Sequence, residues 1–77
     1  MEKINLSEIE NVNKSSLSEE RLRTLENGYS SFDDVINNSG DPIALYRGTK
    51  PYEIADGKHR IYLARKKGYS SVKAKFV

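Results

Sequence analysis

The chain has 77 residues, 36% apolar and 31% charged, with a formal net charge of +2; a chain this short makes one domain with a modest core. It has no cysteine and one histidine, which excludes a disulfide framework, thiolate or histidine-cluster metal sites and a cysteine nucleophile. No apolar run approaches the roughly 18 residues of a membrane span and no signal peptide opens the sequence, so a cytoplasmic protein without a membrane partner is expected.

Lys3-Ile4-Asn5-Leu6-Ser7 alternates polar and apolar residues and predicts a short first strand. Asn11 to Ser16 is polar and reads as a loop. Ser16-Leu17-Ser18-Glu19 matches a capping box, with Ser16 as N-cap and Glu19 at N3. Leu17, Leu22 and Leu25 then predict an amphipathic helix over 17–27, stopped by Asn27-Gly28. Ser30-Ser31 can cap a second short helix carrying Phe32, Val35 and Ile36 on one face, with Asp33 and Asp34 in its first turn. Asn37 to Pro42 is a dense turn signal. Residues 43–47 and 52–55 read as two strands of a hairpin around the turn Gly48-Thr49-Lys50-Pro51. A helix over 58–67 follows, ended by Gly68. Last comes a half-buried strand over 71–77, with Val72, Ala74 and Phe76 on one face and Lys73 and Lys75 on the other. Strand 52–55, helix 58–67 and strand 71–77 read as a tight β-α-β unit. The order predicts one α+β domain over residues 1–77, with a mixed sheet of about four short strands and two or three helices.

The stretch that carries chemistry is Asp56-Gly57-Lys58-His59-Arg60. Asp56-Gly57 breaks the extended pattern, so the next three residues fall at a helix N-terminus. Free N–H groups and the positive end of the helix dipole lie there, and together they bind phosphate well. Cations at that end oppose the dipole at a cost of a few tenths of a kcal/mol each. Three of them in one turn point to a negative ligand; the plainer reading is an ordinary turn with a solvated basic face.

This turn, with its flanking strand, Tyr62-Leu63-Ala64, Gly68 and the upstream Asp41-Pro42-Ile43, resembles the ParB/sulfiredoxin superfamily. The resemblance is specific over residues 42–77. It implies a minimal ParB N-terminal-like domain from a bacterium, phage or plasmid. It also implies a nucleotide, CTP or ATP with Mg²⁺, whose phosphates lie on Gly57, Lys58, His59 and Arg60. Sulfiredoxins carry a cysteine where Lys58 stands, so repair of a sulfinic acid is not expected. Partition proteins continue into further phosphate motifs and a helix-turn-helix region, so DNA loading and sliding are not expected of residues 1–77.

Taken singly, these residues keep alternatives open. Asp56 can bind Mg²⁺, or accept hydrogen bonds from its own turn, the commoner role. His59 can donate to a phosphate or shuttle a proton; Asp56 and His59 are the only catalytic candidates. Arg60 suits bidentate phosphate contact, or else pairs with Asp56 or Glu53. Thr49 and Lys50 can reach the same ligand or simply solvate their turn.

Charge is unevenly spread, −4 over residues 1–40 and +6 over 41–77, and such asymmetry favours anionic partners. Arg65, Lys66, Lys67, Lys73 and Lys75 are therefore the candidates for contact with nucleic acid. Of the five tyrosines, Tyr46, Tyr52 and Tyr62 are expected in or beside the core, which leaves Tyr29 and Tyr69 for base stacking. The expected function is a binding module with a phosphate or nucleotide turn. The alternatives are a nucleic-acid-binding accessory protein or weak nuclease using the basic C-terminal half, and an inactive protein-interaction module that modulates a host protein.

Overall fold

The computed structural model describes residues 1–27, 36 and 42–77. Four strands, β1 (Glu2–Asn5), β2 (Ile43–Leu45), β3 (Ile54–Asp56) and β4 (Ser71–Phe76), form one mixed sheet in the order β1-β4-β2-β3. Two nine-residue helices, α1 (Glu19–Asn27) and α2 (Lys58–Lys66), complete the described part of a small α+β domain. The expected second helix with its Ser30-Ser31 cap, the Gly28 stop, Tyr29 and most of the 37–42 turn lie outside the described residues. Ile36 is described: it is helical, 2% exposed and part of the core.

The core gathers one face of the sheet and the inward side of α2. Val72 and Ala74 of β4 point into it, with Ile4 of β1 and Ile43 and Leu45 of β2. Ile61 and Ala64 of α2 close over them, and Leu63 is equally buried. Lys73 and Lys75 lie on the opposite face, as the alternation of β4 predicts. β4 is antiparallel to β1 and parallel to β2, and β2 is antiparallel to β3, with Ala55 bulged at the Ala44/Leu45 register shift.

Several boundaries move. The first strand is residues 2–5, because the chain turns into a 3-10 helix at Leu6–Glu8, where the Leu6 N–H donates to the Ser70 carbonyl at 2.9 Å. α1 starts at Glu19, so its cap is Ser18 and not Ser16: the Arg21 N–H donates to Ser18 Oγ at 3.3 Å and the Leu22 N–H to the Ser18 carbonyl at 3.0 Å. Ser16 instead ends a 3-10 helix, its hydroxyl donating to the Asn13 carbonyl at 2.8 Å. The hairpin strands shorten to 43–45 and 54–56. β3, α2 and β4 do not make a β-α-β unit, since β2 lies between β3 and β4 and the parallel pair is β2 with β4. The end of α2 is as expected. Gly68, at φ +84°, donates to the Arg65 carbonyl and Tyr69 to the Ala64 carbonyl, the two bonds of a Schellman cap.

The first strand's continuation builds one wall of the site. From β1, at one edge of the sheet, the chain runs to the other edge, where Ile9 bridges Tyr52 in parallel. The Tyr52 N–H donates to the Glu8 carbonyl, and the Glu10 N–H to the Tyr52 carbonyl. Arg65 pins this crossing. Its guanidinium donates to the carbonyls of Glu10 at 3.0 Å, Leu6 at 2.9 Å and Ile9 at 2.7 Å. Among the described residues, no helix is long and apolar enough to cross a membrane.

Candidate functional site

Gly57 sets the turn. Its φ of +107° is left-handed, a region that side chains resist, and a Cβ there would stand 3.0 Å from Ile43 Cγ1 and 3.2 Å from an Arg60 guanidinium nitrogen. The close approach seats the Arg60 guanidinium over the turn. The Gly57 carbonyl accepts from the Ile61 N–H at 2.9 Å, which starts α2. The first turn of α2 therefore holds Lys58, His59 and Arg60 and no acid.

This turn borders a cleft of about 570 Å³. Asp56 to Arg60 form one side of it, the loop Glu10–Asn13 another, and Arg21 and Leu25 of α1 a third. Glu10 braces the loop, its carboxylate accepting from the Ile54 N–H at 2.6 Å. Val12, Leu25 and Ile54 give the cleft an apolar patch; Arg21 and Lys58 are exposed cations on its rim.

The starts of the two helices meet here. The Ser18 N–H donates to His59 Nε2 at 3.1 Å, which places the His59 proton on Nδ1. Burial, then the nearby charges of Arg21 and Lys58, push the His59 pKa below its ordinary value. Lys58 Nζ donates to the Ser16 carbonyl at 3.2 Å. Arg60 is buried, with its guanidinium 3.8 Å from the exposed Asp56 carboxylate. The turn expected for phosphate is thus gathered at one cleft, but Arg60 is not the exposed residue that a purely ligand-facing role would give.

The nucleic-acid candidates scatter. Arg65 is half-buried and committed to three loop carbonyls, and burial lowers its pKa. Lys66 stands 3.9 Å from Glu26 of α1. Lys67 is exposed beyond the end of α2. Lys73 and Lys75 occupy the far face of the sheet, away from the cleft lining. Lys50 pairs with Glu8 at 3.0 Å, and neither Thr49 nor Lys50 lines the cleft. Tyr52, Tyr62 and Tyr69 are half-buried, whereas Tyr46 is 50% exposed, a correction to its expected place beside the core. The residues that sequence reasoning missed are Arg21, whose place on the rim follows from where α1 begins, and Glu10, Asn11 and Asn13 of the crossing loop. No local pattern marks them, because they reach the turn through tertiary packing.

Among the described residues, no group of three acidic, histidine or cysteine side chains could hold a metal ion. Comparison with protein-family models, curated proteins and solved structures finds no match to this chain.

Proposed function

We propose that this protein is a binding module for a phosphate-bearing small molecule, a nucleotide, held in the cleft at the Asp56–Arg60 turn. The observation that carries the reading is the first turn of α2. It bears three basic side chains and no acid, begins at a left-handed glycine and borders a cleft of about 570 Å³. Small-molecule sites typically enclose about 300–1,000 Å³, so there is room for a nucleoside beside a phosphate. The phosphate would accept from the N–H groups that a helix start leaves without intrahelical partners. Lys58 and Arg21 would neutralise it, Arg60, which also lines the cleft, would donate to it from the turn, His59 would donate through Nδ1, and Val12, Leu25 and Ile54 would pack on the remainder of the ligand.

The likeness to ParB N-terminal-like domains, with CTP or ATP as ligand, belongs to the same proposal. Mg²⁺ arriving on the phosphates would meet the carboxylate of Asp56, 55% exposed. Binding is favoured over turnover, because the Nε2 lone pair of the single histidine already accepts from Ser18. A general base needs that lone pair free.

Calorimetric titration of CTP, ATP and inorganic phosphate into wild type, Lys58→Ala and Arg60→Ala tests the proposal. Arg60→Ala should weaken binding by about 1.5–3 kcal/mol, the range for hydrogen bonds to charged groups. Lys58→Ala should cost less, as a screened point charge. Arg60→Ala should also lower the melting temperature, since Arg60 is buried. Wild-type affinity in a folded Arg60→Ala protein would leave the turn as architecture alone.

A further inference from the structure

We infer that the face of the sheet that carries Lys73 and Lys75, opposite α2 and separate from the cleft lining, binds single-stranded nucleic acid. Tyr46 stacks on a base there, and Lys3, Lys73 and Lys75 lie along the phosphates. The register fixes this face. Val72 and Ala74 of β4 enter the core, so Lys73 and Lys75 point away from it. Lys3 of β1 is the cross-strand partner of Lys73. Lys75 is level with Ala44 of β2, and the Val77 N–H donating to the Leu45 carbonyl carries the same register on to Tyr46.

Tyr46 follows the fully buried Leu45 and is 50% exposed, among the few large apolar side chains left in solvent. The other aromatics at this end of the sheet turn inward: Tyr52 and Phe76 meet edge to face at 4.9 Å and pack on the core. Tyr46 thus leaves a ring open beside a lysine stripe. Glu53, whose carbonyl accepts from the Tyr46 N–H, lies on the other side of Tyr46. The face is cationic over β1 and β4, with the small side chain of Ala44 buried beside Lys75. A phosphate chain is directed along the lysines, with its bases turned towards Tyr46.

An aromatic ring beside a cationic track is the arrangement by which single strands are held with little sequence preference. A duplex offers the lysines its phosphates but keeps its bases from the ring. None of the four residues lines the cleft, so this surface and the small-molecule site stand or fall separately.

Fluorescence anisotropy with a labelled oligothymidine of about 12 nucleotides, and with a duplex of the same length, tests the inference at low salt. The single strand should bind more tightly than the duplex, and its affinity should fall with salt by a log–log slope of about −0.7 per phosphate contacted. Tyr46→Ala should weaken single-strand binding roughly 5- to 100-fold at an unchanged melting temperature. Lys75→Glu should weaken binding and flatten the salt dependence, whereas Lys14→Glu, the same charge change on the 3-10 helix before α1, should do neither. The inference is overturned by absence of binding at low salt, by Tyr46→Ala binding like wild type, or by equal loss in Lys14→Glu and Lys75→Glu. It is equally overturned if the duplex binds as tightly, or if the face proves to join two copies through a sedimenting dimer that Tyr46→Ala dissolves.

Discussion

The two helices have equal length, and their first turns touch, yet those turns are built on opposite plans. α1 begins at Ser18, whose hydroxyl caps the Arg21 N–H, and Glu19 and Glu20 follow in its first turn. Cap and acids satisfy the positive end of that helix from within the chain. α2 begins at Gly57, which has no side chain to cap with, and continues into Lys58, His59 and Arg60. Its first turn repels cations and supplies two, with a histidine between them. That contrast with α1 is what motivates the proposal of an anion at the start of α2.

Substitutions can break that contrast at either end. The largest expected effect is at Gly57. Gly57→Val combines a left-handed backbone with a Cβ 3.0 Å from Ile43. Strain and overpacking together should cost about 2–4 kcal/mol in urea unfolding, besides disturbing the cleft. The matching change at the other start, Ser18→Ala, should cost only about 1 kcal/mol, the ordinary loss of a cap. Between them falls Arg65→Met, at the opposite end of α2. It leaves the Leu6, Ile9 and Glu10 carbonyls without their donor, and should cost about 1.5–3 kcal/mol. Equal losses from Gly57→Val and Ser18→Ala would show that the two starts do not differ as described.

How much of this could be read from the residues varies with how local the cause is. The alternation of β4, the Gly68 cap and the helix-initiating turn at Gly57 are local patterns, and each falls where the sequence predicts. The sequence points to Ser16 for the α1 cap because Ser16 and Ser18 both precede an acidic turn. What selects Ser18 is partly the acceptor for its own N–H, His59, 41 residues away. Arg65 reads as one of five candidates for contact with nucleic acid because nothing near it in sequence announces the loop carbonyls it serves. Tyr46 read as half-buried because alternation leaves open which face of a strand is covered. The β-α-β reading failed for a related reason: neighbours in sequence need not be neighbours in a sheet. The cleft is the least legible feature, since its turn is local and its opposite wall, Glu10 to Asn13, arrives from the far edge of the sheet.

The smallest expected effect is on pH dependence, and it concerns the bond that joins the two starts. His59 has its pKa lowered in the folded chain, chiefly by burial. Between that value and the unfolded value of about 6.5, the unfolded chain binds more protons, so stability rises with pH. The contribution is complete above about pH 6.5 and is lost as pH falls towards the folded pKa. In His59→Gln, whose amide oxygen can still accept from Ser18, the decline between neutral and mildly acidic pH should be shallower. An identical decline in both proteins would remove His59 from the account.

The central claim is that the start of α2 takes an anion and the start of α1 does not. Amide chemical shifts followed while CTP or inorganic phosphate is added test it most directly, because both helix starts report in one experiment. The account predicts that the Gly57, Lys58 and His59 amides move and saturate together while those of Glu19 and Glu20 move far less. Equal movement at both starts, or none at Gly57 to His59 as the ligand is raised, would contradict it.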